Sequence, residues 1–332
     1  MIYLSGGRRI ALDERGKDAY LNFISHAHED HLAGLRSGLP ATASRETIEL
    51  IKARKGVSPA IAETGKGFEM LNAGHVLGSR QLYFEDEYSG VSYIYTGDFQ
   101  MQENELAGRI EIRNADIAII DSTYPFPNVH FDERTNVIDA IQFYARKKTE
   151  YGHVIFSSQV LGKAQELIKI FNEIGLTPVV SERIGAISNV YERFNIKLDY
   201  ITADEKTFID KVAEQRIGIT ENNIKYAAER LAEKYNTKVY TAIATGLAKS
   251  IRFGTDVQFA LSDHADFRQT VKYIDEGNFK YVFTKGKNAE ILAYYLRKAG
   301  YDAEAMENGS SIGGVLTEKQ KSGDNNLNSQ IV

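Results

Sequence analysis

Residues 25–31 read Ser25-His26-Ala27-His28-Glu29-Asp30-His31, an H-x-H-x-D-H pattern. The chain has seven histidines, and three of them fall between positions 26 and 31. On an extended strand end, residues two apart point the same way, so His26 and His28 can reach one metal together. Asp30 and His31 follow where the chain should turn into a helix, and they can face a second metal beside the first. Neutral imidazole and carboxylate are donors that zinc accepts in a catalytic site. The cluster therefore points to a hydrolase.

The rest of the composition is ordinary for a globular protein, with 43% hydrophobic and 26% charged residues. At 332 residues the chain is long enough for two core-bearing units. No apolar run approaches the ~20 residues needed to span a bilayer. The N-terminal segment MIYLSGGRRIALDERG has no secretory or transit character. A cytoplasmic protein without a membrane partner is expected. There is no cysteine, which excludes disulfides and thiolate metal ligands. The net charge of −5 opposes a polyanion, so a nucleic-acid partner needs a local basic groove.

Short apolar runs alternate with longer amphipathic segments. RIALD (9–13), YLNFIS (20–25), FEML (68–71), QLYFE (81–85), VSYIYT (91–96) and IAIID (117–121) read as strands. Helices are expected over 46–56, ended by Gly56, and over 133–148, 163–175 and 223–235. Near the C-terminus VQFAL (257–261) and KYVFT (280–284) read as strands, with helices over 269–277 and 288–300. The pattern is mixed α/β. Beyond Gly309 the chain becomes Gly-, Ser- and Asn-rich, and residues 311–332 are expected to form a disordered tail.

Polar residues recur where the buried strands end, which is where α/β folds build sites from separate strands. AGHVLGS (73–79) places His75, YTGDF (95–99) places Asp98, IIDSTY (119–124) places Asp121, and ALSDHADF (260–267) places His264. Asp13 ends an early strand. The strand VIF (154–156) runs into Ser157 and Ser158, and a helix opens near Gly162 with Lys163 beside it. Hydroxyls, backbone N–H groups and a helix N-terminus together suit an anion.

The order Asp13, His26-x-His28-x-Asp30-His31, His75, Asp98 resembles the metallo-β-lactamase superfamily. DSTY (121–124), SSQVLGKAQELI (157–168) and SDHAD (262–266) resemble its β-CASP branch of nucleic-acid-processing nucleases. The likeness is to ligase-associated and crosslink-repair exonucleases and to archaeal relatives of the mRNA 3′-end processing endonuclease. It covers about residues 10–310 and implies an αββα four-layer sandwich from 1–130 and 245–310, with a β-CASP α/β lobe inserted over 131–244. It implies a metal-dependent nuclease that hydrolyses phosphodiester bonds of RNA or DNA by attack of a zinc-bound hydroxide. His26, His28 and His75 would hold one zinc, Asp30 and His31 a second, and Asp98 would bridge them. Asp30, Asp121 and His264 would carry the chemistry, with His264 donating a proton or binding the scissile phosphate. Asp13 would support the ligands from behind. Ser157, Ser158 and Lys163 would face substrate phosphates, and a homodimer or a processing-complex partner fits the same likeness.

One motif position departs. Many family members carry His-Gly after the last core strand, where this chain has Lys285-Gly286. An ammonium is a poor metal ligand, so the second zinc is expected to be the weaker one. Lys285 could instead meet a substrate phosphate as a point charge. The alternatives to a nuclease are a small-molecule metallo-hydrolase of the same fold and a catalytically silent subunit that binds nucleic acid.

Overall fold

The structure, a computed structural model, describes residues 2–3 and 7–306; the expected tail 311–332 lies outside the described residues. The chain opens with β1 (Ile2–Tyr3), β2 (Arg9–Leu12) and β3 (Leu21–Phe23), which form a three-stranded sheet. A 3-10 helix (Glu29–Arg36) follows, then α1 (Arg45–Lys55), β4 (Phe68–Asn72), β5 (Arg80–Glu85), β6 (Ser92–Tyr95) and β7 (Ile117–Asp121). Local chemistry sets the limits of α1. The Ser44 side chain accepts a hydrogen bond from the Thr47 N–H, and Gly56 closes the helix at φ 67°, a left-handed conformation that glycine adopts without strain. The helix expected after Asp30 is a 3-10 helix. Its Gly34 lies so close to Asn22 that an added Cβ would meet the Asn22 Oδ1 at 2.6 Å.

The middle of the chain alternates regularly. It contains α2 (Arg134–Tyr151), β8 (His153–Ser157), α3 (Lys163–Asn172), β9 (Val179–Ser181), α4 (Glu182–Arg193), β10 (Ile201–Ala203), α5 (Phe208–Gln215), β11 (Ile217–Thr220), α6 (Ile224–Tyr235), β12 (Val239–Ala244) and β13 (Val257–Phe259). These strands form an all-parallel sheet in the order β10-β9-β11-β8-β12-β13. The sheet thus continues past residue 244, because β13 adds to β12 as its edge strand. Parallel strands are covered on both faces and read as apolar runs. Val154, Ile155 and Phe156 of β8 are fully buried, with Phe156 facing helices α2 to α4 and Ile155 facing α5 and α6.

The chain then adds α7 (Phe267–Gly277), β14 (Tyr281–Lys285), α8 (Ala289–Lys298) and β15 (Ala303–Ala305). A second six-stranded sheet has the order β15-β14-β7-β6-β5-β4, antiparallel over β4 to β6 and parallel from β6 to β15. One face of this mixed sheet packs on the three-stranded sheet, where Ile10, Leu12 and Phe23 meet Leu82, Phe84, Ile117 and Ile119. Its other face packs on α7 and α8 through Ile94, Ile120, Val282, Tyr273 and Leu296. Helix α1 joins the two halves. Ile48 and Ile51 belong to the same core as Ile187 and Val190 of α4. Among the described residues, no helix is long and apolar enough to cross a membrane.

Candidate metal centre and the cleft around it

Four strand ends bring the polar side chains together. The turn after β3 carries His26 and His28, and the 3-10 helix that follows carries His31. The turn after β4 carries His75, the loop after β6 carries Asp98, and β7 ends on Asp121. Three imidazoles converge: His26 Nε2 lies 3.0 Å from His28 Nδ1, and His75 Nε2 lies 3.1 Å from the same atom. Asp98 Oδ2 lies 3.5 Å from His26 Nε2 and 3.7 Å from His75 Nε2. Donor atoms around a tetrahedral ion with bonds of about 2.05 Å should be about 3.3 Å apart, and this set brackets that value. Burial holds the His26 and His28 rings below the usual imidazole range and pushes His75 down to about 3, so all three are neutral donors at ordinary pH. The donor set fits a divalent cation.

Each ring is oriented from behind. His75 Nδ1 donates to the Asp263 carbonyl at 2.7 Å, which leaves Nε2 free to face the cluster. His28 Nε2 sits 3.3 Å from the Leu161 carbonyl, a group of the parallel-sheet half. Ser25 Oγ lies 3.0 Å from His26 Nδ1. Such partners fix the tautomer and ring angle of metal-binding histidines. Asp13 lies behind His31 and Ser25. Its buried carboxylate accepts from Ser25 N (2.6 Å), Ser25 Oγ (2.5 Å), Tyr95 OH (2.8 Å) and His31 Nδ1 (2.7 Å).

A second group lies beside the first. Asp98, Asp121 and His264 also bring their ligand atoms within 4.8 Å of one another. His264 Nδ1 is 3.2 Å from Asp121 Oδ2 and 3.8 Å from Asp98 Oδ2. Burial opposes charge on this ring, yet Asp98 and Asp121 outweigh it and raise the pKa to about 9. His31 Nε2 reaches Asp98 Oδ1 at 3.2 Å and Asp30 Oδ2 at 3.7 Å. Asp30 is the outlier: its side chain is 81% exposed, at the rim of the cleft and away from the buried carboxylates. Lys285 pairs in register with Asp121 and points its ammonium over the Tyr95 ring, 5.7 Å from the centroid.

The centre opens into a cavity of about 870 Å³. Its wall on the parallel-sheet side includes Ser158, Gln159, Arg183 and Glu221, and its cations are Arg54, Arg183, Lys285 and Lys287. Ser157 and Ser158 line a neighbouring pocket with His75 and His264. Lys163 departs from the expectation of a phosphate contact. It is 3% exposed, and its ammonium is held by Glu166 Oε2 at 2.6 Å and Asp263 Oδ1 at 2.7 Å. Two carboxylates take up its charge, so it offers none to a substrate. Sequence patterns alone did not single out Arg134, Glu166 or Asp263. The last two stand inside SSQVLGKAQELI and SDHAD, and an acidic residue beside a site histidine was the available signal.

No family profile matches the chain. The chain is similar to a probable DNA ligase of Opitutus terrae, with 26% identity over 296 residues, 86% of this chain and 28% of that protein. It is similar to an RNase J-like protein of Methanocaldococcus jannaschii, with 28% identity over 193 residues, 48% of this chain and 45% of the relative. It is also similar to the 5′ exonuclease Apollo of Gallus gallus, with 30% identity over 199 residues, 53% of this chain and 42% of the relative. The chain therefore spans less than half the length of each of these three relatives.

Proposed function

We propose that the chain, whose relatives include an RNase J-like protein and the 5′ exonuclease Apollo, is a metal-dependent nuclease of the metallo-β-lactamase/β-CASP type that hydrolyses phosphodiester bonds of RNA or DNA, with zinc as the metal. The mixed and three-stranded sheets, with the helices outside them, are the αββα sandwich of 1–130 and 245–310 in this reading. The segment 131–244 is the inserted β-CASP lobe, with β13 continuing its sheet. The observation that carries the reading is the convergence of His26, His28, His75 and Asp98 beside the Asp121–His264 pair, at the floor of one cleft.

In this reading His26, His28, His75 and Asp98 hold the first metal. Asp98 would also serve a weaker position beside His31 and Asp121, with Asp30 standing at its rim. When bound, the metal supplies Lewis acidity toward a phosphoryl oxygen and lowers the pKa of water. The chain's own groups do the rest. Asp13 and Ser25 hold the rings of His31 and His26 so that their Nε2 atoms face the cluster. His264, kept protonated by Asp98 and Asp121, holds a proton that a leaving oxygen in the cleft can take. Arg54, Arg183, Lys285 and Lys287 are the cations the cleft offers a polyanion, set among the carboxylates of Glu29, Asp30, Asp98, Asp121 and Glu221. Ser157 and Ser158 add hydroxyl donors near the same phosphates.

The test is cleavage of end-labelled RNA and DNA oligonucleotides, with free and blocked 5′ ends, by the metal-stripped protein and after addition of Zn2+. Zinc-dependent cleavage of either polymer is expected. No cleavage of either under any loading would sink the nuclease reading.

A further inference from the structure

Four charged side chains are buried together where the two halves of the molecule meet. Arg134 (7% exposed) comes from α2, Lys163 (3%) and Glu166 (4%) from α3, and Asp263 (7%) from the segment between β13 and α7. Lys163 Nζ bridges Glu166 Oε2 and Asp263 Oδ1 at 2.6 and 2.7 Å. Arg134 Nη2 bridges Glu166 and Asp263, the latter at 3.3 Å. Two cations and two anions leave no net charge. Buried ion sets are weak sources of stability, since their desolvation cost offsets the attraction; their better-attested use is to fix a unique arrangement. The arrangement fixed here is that of Ser262-Asp263-His264. Arg134 Nη1 also donates to the Ser262 carbonyl at 2.7 Å, and Gln100 Nε2 donates to the Ser262 and His264 carbonyls at 3.1 and 2.9 Å. The Asp263 carbonyl is the acceptor for His75 Nδ1. A second imidazole of the cluster, His28, leans on the Leu161 carbonyl, two residues before Lys163.

We propose that the buried quartet Arg134–Glu166–Lys163–Asp263 is a positioning device for the metal centre, in which α2 and α3 clamp Asp263 so that its carbonyl aims His75. The proposal rests on the reading of His75 as a metal ligand. Lys163 and Asp263 are then positioning residues that act through His75 and touch neither metal nor substrate. Seating of the parallel-sheet half thereby sets the metal affinity of the other half. If the quartet were purely structural, removing one of its charges would lower the melting temperature but leave the metal affinity of the folded protein unchanged.

The experiment uses the full chain, stripped with a chelator and then titrated with Zn2+ against a chromophoric competitor. Circular dichroism establishes folding for each variant. Lys163→Met and Asp263→Asn should weaken zinc binding about 10- to 100-fold, the range typical for partners behind a metal ligand. Lys163→Arg, which keeps the charge, should restore most of it. A second readout needs no metal: the His75 Nδ1–H proton of the stripped protein should exchange slowly in the wild type and faster in both charge-removing variants. Asp263→Asn keeps the side-chain size and the backbone carbonyl, so it decides the matter if Lys163→Met does not fold. Unchanged zinc affinity together with an unchanged His75 signal in a folded variant would overturn the proposal. Failure of the wild type to bind zinc would overturn the metal reading instead.

Discussion

The half built on the mixed and three-stranded sheets and the half built on the parallel sheet both present loops to one cleft, but with different side chains. The first brings imidazoles and carboxylates, of which His26, His75 and Asp98 are buried and His28, His31, Asp121 and His264 partly so, together with the cations Arg54, Lys285 and Lys287. The second brings a hydroxyl, an amide, a guanidinium and a carboxylate: Ser158, Gln159, Arg183 and Glu221. The contrast follows from what each task tolerates. A metal site fails if a donor moves by a fraction of an ångström, so its ligands need a rigid wall. A polyanion is attracted over the length of a cleft, and exposed charges such as Arg183, 74% exposed, are adequate for that.

Ligand removal tests the contrast most severely. His28→Ala should abolish tight zinc binding and bring cleavage to background, read by metal analysis and by the oligonucleotide assay. Undiminished zinc would show that the rigid half is not the metal half. His264→Ala should leave the first metal in place and slow cleavage by about 10²–10⁴, the usual range for a general acid. The same residue gives a pH signature in the chelator-stripped protein. Its pKa is raised to about 9 when folded, against 6.5 in a free imidazole, so the stability it contributes is complete below 6.5. That contribution is lost as pH rises through about 9. The melting temperatures of wild type and His264→Ala should therefore differ at pH 6 and converge by pH 10; equal melting at both pH values would remove the charge pair from the account.

Asp13→Asn is a finer probe. Asp13 sits at φ 56°, a conformation asparagine accepts, so the backbone should survive while the carboxylate that fixes His31 is lost. A loss of about 10- to 100-fold in affinity at the weaker metal position is expected by metal titration; wild-type affinity would mean that Ser25 and Tyr95 suffice without the charge. Lys285→Ala should have the smallest effect. Oligonucleotide affinity should fall modestly, and the slope of log affinity against log salt should decrease by about 1, because one phosphate is no longer neutralised. An unchanged slope would return Lys285 to the status of an ordinary loop lysine.

The elements of the first half were legible because its strands are apolar runs long enough to stand out. IAIID over 117–121 coincides with β7, and Gly56 marks the end of α1. The stretch 176–222 carries no comparable signal. Strands β9 and β10 are three residues each, and α4 carries Gly185 and Ser188 in its interior, so propensity and periodicity are weak there. Tertiary burial of Ile184, Ile187 and Val190 forms that helix all the same.

The sequence by itself determined the donor chemistry: three histidines in six positions, no thiols, and carboxylates at strand ends. Side-chain types and strand periodicity are local properties, so one chain suffices to read them. Only the tertiary structure decided which charges are spent on one another. Lys163 is an exposed-looking cation at a helix start until the fold brings Asp263, a hundred residues away, within 2.7 Å of it. Asp121 gains His264 over 143 residues in the same way. Buried polar groups must find partners, and which partner is in reach depends on how the sheets pack.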